Sequence, residues 1–238
     1  MIEPRNQGDM LCYPYLYFKD YFKHYNCQIH STKNISFGSI LTSDVVILAS
    51  GGCFEVLDRF QDHINTLLDI NDNVISWGCG HNEHNDRPVY WHIDYHKFKL
   101  LSVRDYNFPG QEYVPCVSAM NPLLDLKLVE KREIGIIEHQ DFPINEFRFD
   151  KIDHKQSMEK ICKFVAESKI IITNTYHAAY WSQLMNRKVI LYKPFSSKFK
   201  NFRHQPIEYS GDLKRDIELS KNYPLFLSES REINKRFF

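Results

Sequence analysis

The chain has 238 residues, 43% hydrophobic and 25% charged, the proportions of an ordinary globular protein, which argues against a disordered or low-complexity chain. Its 30 basic and 30 acidic residues cancel, so no overall field draws in nucleic acid and no nucleic-acid partner is expected. The six cysteines, at 12, 27, 53, 79, 116 and 162, contain no CxxC pair, no apolar run approaches the ~20 residues of a membrane span, and the N-terminus lacks a signal-peptide core; together these predict reduced thiols in a soluble, cytoplasmic protein.

Asn6-Gln7-Gly8-Asp9 reads as a turn, with Asp9 either a plain helix cap or a carboxylate at the edge of a cleft. Apolar spacing at Leu11, Tyr15, Phe18 and Phe22 predicts a helix within Met10 to Tyr25, starting late because of Pro14. Beyond Phe37-Gly38-Ser-Ile-Leu41, a strand is predicted over Val45–Ala49. It runs into Ser50-Gly51-Gly52-Cys53 and then a helix over Glu55–Leu68. A second strand, Val74–Trp77, runs into Gly78-Cys79-Gly80. Strands that end in glycines can present backbone N–H groups to an anion, so Gly51, Gly52, Gly78 and Gly80 are candidate ligand-binding positions.

His81, His84, His92 and His96 invite a zinc reading, but Pro88 and the alternation from Val89 to Asp94 put them on different elements and no cysteine or carboxylate completes a set; no metal is expected. The strand Phe98–Val103 ends in Arg104-Asp105. Arg104 suits bidentate recognition of phosphate or carboxylate, and equally a surface ion pair with Asp105 or a neighbour. Past Val114-Pro-Cys-Val117 and Asn121-Pro122-Leu-Leu124, the charged segment Lys127 to Glu133 is taken as a boundary between domains 1–128 and 129–238.

The second half predicts a strand over Glu133–Glu138 followed by His139, and a helix over Lys155–Ser168 with Met158, Ile161, Cys162 and Val165 on one face. A buried strand at Lys169–Ile172, small polar residues at Thr173–Thr175, a helix over Tyr176–Met185 and a strand over Lys188–Tyr192 make a βαβ unit. His177 falls in the first turn of that helix, at the carboxyl end of a strand, where open α/β sheets bind ligands; the alternative is a partly buried histidine satisfied by a carbonyl. From Lys193 to His204, Lys193, Lys198, Lys200 and Arg203 alternate with Phe195, Phe199 and Phe202. This stretch suits a phosphate, nucleotide or anionic lipid head group, or a loop whose phenylalanines fill the core. Tyr223–Phe238 predicts a last helix. The fold class read from this pattern is α/β, with two Rossmann-like halves built on mainly parallel sheets.

With these segments placed, the chain resembles the polysaccharide pyruvyl transferase family. The residues that carry the resemblance are, in order, Asn6-x-Gly8-Asp9, Gly38-Ser-Ile-Leu41, the strand ending in Gly51-Gly52, Trp77-Gly-Cys-Gly80, Val103-Arg104-Asp105, Asn121-Pro122-Leu-Leu124, Ile136-Ile-Glu-His139, and small polar residues before His177. Departures are Met120-Asn121-Pro122 where Gly-Asp-Pro is common, Tyr176 where a leucine is common, and Thr175 where some members carry arginine. The resemblance implies a GT-B-like fold with a cleft between two Rossmann-like domains, and transfer of pyruvyl from phosphoenolpyruvate to two hydroxyls of a sugar as a ketal. No cofactor or metal is implied. His177 is then expected as general acid or base, with Asp9 and His139 on the acceptor side. Arg104, with Lys193 or Lys198, would clamp the donor, and Asn174 and Thr175 lie at the helix start that adds backbone donors. Asn6 and Gly8 belong to the first landmark of this site. The implied acceptor is a sugar or lipid-linked glycan, with peripheral contact at the inner membrane face expected through 193–204 or the C-terminus. Two other readings stand beside this one: a GT-B-like glycosyltransferase using a nucleotide sugar, and a binding protein that kept the fold without activity.

Overall fold

The computed structural model describes residues 7–30, 35–49, 51–55, 58–83 and 92–238. The first half contains helices α1 (Gln7–Met10) and α2 (Lys19–Phe22), strands β1 (Val46–Leu48) and β2 (Phe54–Glu55), helix α3 (Asp58–Ile70), and strands β3 (Val74–Cys79), β4 (His81–Asn82), β5 (Leu100–Val103) and β6 (Glu112–Tyr113). The second half adds β7 (Arg132–Glu138), β8 (Lys151–Asp153), α4 (Met158–Ala166), β9 (Ser168–Thr173), α5 (Tyr176–Leu184), β10 (Lys188–Leu191), β11 (Ile207–Glu208), α6 (Leu213–Leu219) and α7 (Phe226–Phe237). Among the described residues there are two larger sheets, ordered β1-β3-β5-β6 and β11-β10-β9-β7-β8, and a small β2-β4 pair, with every strand-to-strand pairing parallel. The protein is therefore a mixed α/β chain with two parallel sheets, as the alternation of strand and helix patterns predicts.

The second sheet is buried on both faces, and the isoleucine run shows why. Ile171 packs with Ile137, Val189 and Leu191 against α4, α5 and α7, while Ile170 and Ile172 turn to the other face with Ile134, Ile136 and Ile190. Side chains alternate along a strand, so a strand apolar at every position must be covered twice. Helix α4 starts where the Ser157 side chain accepts a hydrogen bond from the Lys160 amide at 3.3 Å, and it buries Met158, Ile161, Cys162 and Val165 at helical spacing. Helix α5 ends on Asn186, whose φ of +58° is the left-handed cap conformation that asparagine tolerates; Arg187 N–H reaches back to Ser182 O at 2.8 Å.

Several sequence expectations need correction. The helix predicted within Met10–Tyr25 is reduced to a 3-10 turn at Pro14–Leu16 and the short α2, because the proline ring forces Tyr13 into extended backbone (φ −107°, ψ 135°), and the stretch read as a turn before it is helical from Gln7 to Met10. The helix expected from Glu55 begins at Asp58: Phe54 and Glu55 instead form β2 beside β4, with Phe54 N–H bonded to Gly80 O at 3.1 Å. Strand β3 continues through Gly78 and Cys79. Gly78 sits at φ +58° inside a register shift against β5, so it is a bulge within the strand and Gly80 is the residue that leaves it. The short edge strands β6, β8 and β11 and helix α6 were not anticipated; α6 is capped by the Asp212 side chain, which accepts from Arg215 N–H at 3.1 Å.

The two halves are joined by more than the chain. Helix α7 returns to the first half, where Asn234 accepts a hydrogen bond from Trp77 Nε1 at 2.9 Å and donates to Pro115 O at 3.1 Å, and where Ile233 and Phe237 pack beside Trp77, Val114 and Val117. Cys12, Cys116, Ala119 and Leu124 share the core cluster of α4 and α5. No helix among the described residues is long and apolar enough to cross a membrane.

Candidate functional site

Five segments of backbone converge on one place. Gly8 and Asp9 come from α1, Gly51 from the turn after β1, Gly80 and Arg104 from the ends of β3 and β5, and His177 from the first turn of α5. The glycines report how close the approach is. A Cβ on Gly8 would overlap the His177 ring, and one on Gly80 would overlap the Arg104 guanidinium. At Gly51 a Cβ would lie 2.7 Å from Asp9 Oδ1, 3.4 Å from Arg104 Nη1 and 3.5 Å from His177 Cε1, so these three side chains surround a single point. Here glycine is required by space, not by backbone conformation.

Arg104 is the most informative member. It is 3% exposed, and its Nε and Nη1 have no hydrogen-bond partner among the described residues. Its Cζ lies 3.8 Å above the Tyr176 ring, which in turn stacks on Phe202 at 4.7 Å. Among the described residues the alternative offered for Arg104, an ion pair with Asp105, is not made. Asp105 turns the other way, accepting from the His81 backbone N–H at 2.8 Å and meeting His81 Nδ1 at 3.0 Å. A buried guanidinium with idle donors is costly unless a ligand completes it, and Arg presents those donors in a geometry that fits carboxylate and phosphate.

His177 Nε2 faces two sulfurs, Cys12 Sγ at 3.3 Å and Cys116 Sγ at 3.7 Å, which are themselves 3.3 Å apart. Cys116 is held in place by its neighbours: Tyr180 hydroxyl donates to Cys116 O at 3.0 Å, Ser118 Oγ lies 3.1 Å from Cys116 Sγ, and Trp181 Nε1 donates to Ser118 Oγ at 3.0 Å. Burial pushes the Cys12 thiol well above the usual thiol range. Burial acts the same way on Cys116, but hydrogen bonds from Cys12 and His177 and the charges of His177 and Arg104 outweigh it and hold this thiol well below the usual range. Burial also raises Asp9 above the ordinary carboxylate range, against the pull of His177 and Arg104.

The remaining sequence candidates fall elsewhere. Gly52 meets the Asn82 side chain, and Gly78 packs on the Val114 and Pro115 carbonyls, positioning the Cys116 loop without reaching the site. Asn174 is engaged on both sides, accepting from His139 N–H at 2.8 Å and donating to Phe142 O at 2.7 Å. Thr175 caps α5 without a side-chain cap bond, its Oγ1 3.2 Å from that of Thr173. His139 stacks on His154 with ring centroids 4.4 Å apart, and burial, with the neighbouring His154, lowers it to about 4. Lys193 is exposed beside the Tyr192 ring. Lys198, over the Phe195 and Phe199 rings, lies close enough to act electrostatically on both Asp9 and His139. In the 193–204 stretch Phe199 and Phe202 are buried core residues, which leaves those rings unavailable to a membrane surface. Asn6 and His84 lie outside the described residues, and His81, His92 and His96 do not gather into a ligand set.

Sequence reasoning missed Cys12, Cys116 and Tyr176 as members of the site. The two cysteines are 104 residues apart, so no spacing motif could unite them. No protein-family model matches the chain, and a search of curated proteins returns no match.

Proposed function

We propose that the protein is a transferase that moves a pyruvyl group from phosphoenolpyruvate to a sugar, on a GT-B-like arrangement of two Rossmann-like domains, in the cytoplasmic assembly of a surface glycan. The single observation that supports this reading is the buried Arg104 guanidinium, whose Nε and Nη1 find no hydrogen-bond partner among the described residues, facing Asp9 and His177 in a glycine-lined niche. Phosphoenolpyruvate carries a carboxylate and a phosphate ester on the same enol carbon, and Arg104 would bind one of them bidentately.

In the proposed reaction a sugar hydroxyl attacks the enol carbon and gives up its proton to Asp9, while the methylene carbon takes a proton from the hydrogen-bonded His177 and becomes methyl. The resulting tetrahedral phosphate ester loses phosphate, which carries off the proton held by Asp9, and a second hydroxyl of the same sugar closes the cyclic ketal, its proton returning to His177. The chemistry asks for one acid, one base and a fixed cation, and the three side chains around Gly51 supply them.

The test is a thermal shift with phosphoenolpyruvate and, separately, nucleotides and nucleotide sugars. A ligand at ~100 times its dissociation constant stabilises by about 2.7 kcal/mol, roughly 5–10 °C for a chain of this size. Phosphoenolpyruvate should give this shift with wild type and lose it in Arg104→Gln. Stabilisation by a nucleotide sugar alone would sink the reading in favour of a glycosyltransferase.

A further inference from the structure

We propose that Cys12 Sγ, Cys116 Sγ and His177 Nε2 form a binding site for one thiophilic divalent cation, zinc being the best fit, with the fourth position open to water or a substrate oxygen. Among the described residues this is the one group of three such ligands whose donor atoms lie within 4.8 Å of one another. The argument is first one of distance. Zinc–sulfur bonds of about 2.3 Å and zinc–nitrogen bonds of about 2.05 Å set tetrahedral edges of about 3.8 Å between sulfurs and about 3.6 Å between sulfur and nitrogen. The observed edges are 3.3 Å for the sulfur pair and 3.3 and 3.7 Å for the two sulfur–nitrogen pairs. Shifts of about 0.5 Å or less turn this contact triangle into a coordination triangle.

The second argument is the supporting shell. Ligand sulfurs in metal sites are oriented and partly neutralised by hydrogen-bond donors, and here Ser118, itself fixed by Trp181, stands beside Cys116 Sγ, while Tyr180 fixes the Cys116 backbone. Both thiols are 2% exposed, which shields them from ordinary surface chemistry but not from a cation entering beside the partly exposed His177.

The third argument is charge. Two thiolates at this separation repel each other unless a cation stands between them. A divalent ion bound by two deprotonated thiols and one neutral imidazole makes an electrically neutral cluster, the thiol protons being released on binding.

The site shares His177 with the proposed transfer but does not rest on that reading. Zinc bound at Nε2 occupies the imidazole, so the loaded form is expected to be the slower transferase. The test reads the metal directly. Reduced protein stripped of metal is titrated with Co2+ and then with Zn2+ in competition with a chromophoric chelator. One cobalt per chain should bind with a thiolate charge-transfer band and the visible bands of tetrahedral geometry, and zinc should displace it. Cys116→Ser should weaken zinc by more than the ~10–100-fold typical of changes to supporting residues, Ser118→Ala should fall within that range, and Cys27→Ser, an exposed cysteine, should leave binding unchanged. Cys12→Ser serves in place of Cys116→Ser if the latter does not fold. Absence of the charge-transfer band in reduced protein saturated with Co2+, or zinc affinity unaltered by loss of either buried cysteine, would overturn the proposal, whatever phosphoenolpyruvate does.

Discussion

Asn234 is fully buried in α7 and holds the last helix to the first half of the chain through Trp77 Nε1 at 2.9 Å and Pro115 O at 3.1 Å. Replacing it with leucine keeps the approximate volume and removes both bonds. The Ser230 carbonyl, its third partner at 2.9 Å, lies within the same helix and keeps its place in the helical ladder. Two buried groups, the indole N–H and the Pro115 carbonyl, are left unsatisfied at about 1–3 kcal/mol each, so the expected cost is about 2–6 kcal/mol. At the middle of that range, and about 2–4 °C per kcal/mol, the melting midpoint should fall by roughly 8–16 °C. The assay is reversible thermal unfolding followed by both far-ultraviolet circular dichroism and tryptophan fluorescence, with coincident curves as the condition for reading a single transition. Because Pro115 precedes Cys116, the same variant should weaken ligand binding at His177 even below its midpoint. A midpoint lowered by less than about 2 °C would refute the reasoning, since it would mean that α7 is not anchored through this residue.

Two further outcomes follow from the site. His139 has a folded pKa of about 4, below its unfolded value of about 6.5, so between these values the unfolded chain binds more protons and stability must rise with pH; the contribution is fully present above about 6.5 and is lost as pH falls toward 4. Its ring resonances should show no titration from pH 5.5 to 8, and His139→Phe should flatten the stability profile between about pH 4 and 6.5. Gly80→Ala drives a methyl group into Arg104 and should cost about 1–3 kcal/mol with loss of anion binding, whereas Gly38→Ala, with nothing within 4 Å, should change neither; equal behaviour of the two in thermal shift would remove the spatial argument for the niche.

The regular part of this fold was legible because its signals are local. The run Ile170-Ile-Ile172 demands cover on two faces, and the spacing of Met158, Ile161, Cys162 and Val165 names a helix and its buried side. In the first half the spacing at Leu11, Tyr15, Phe18 and Phe22 promises a longer helix than forms: Pro14 does delay it, but only Lys19–Phe22 is α-helical beyond the proline. Strands β2, β4, β6 and β11 are two residues long, and their pairing is set by partners distant in sequence, which no periodicity records. The same division holds at the site. Asp9, Gly51, Gly80, Arg104 and His177 each follow or precede a recognisable element, whereas Cys12 and Cys116 carry no local mark of their role.

One local mark did exist. His177, Tyr180 and Trp181 stand at i, i+3 and i+4 on α5, the spacing that places side chains on one helical face. That face touches the sulfurs of Cys12 and Cys116 through His177, the Cys116 carbonyl through Tyr180, and Ser118 through Trp181. Tyr176, which opens the same helix, covers Arg104. These contacts with the first-half side of the site are all made by residues of α5, which lies between the paired strands β9 and β10 in sequence. Arg104 becomes a desolvated cation, and the Cys116 thiol gains its contact with His177, only when α5 is in place. The packing of the two halves and the creation of the site's electrostatics are therefore one event: a substitution on this helix face that loosens the join also returns Arg104 to water, where a single guanidinium binds an anion weakly.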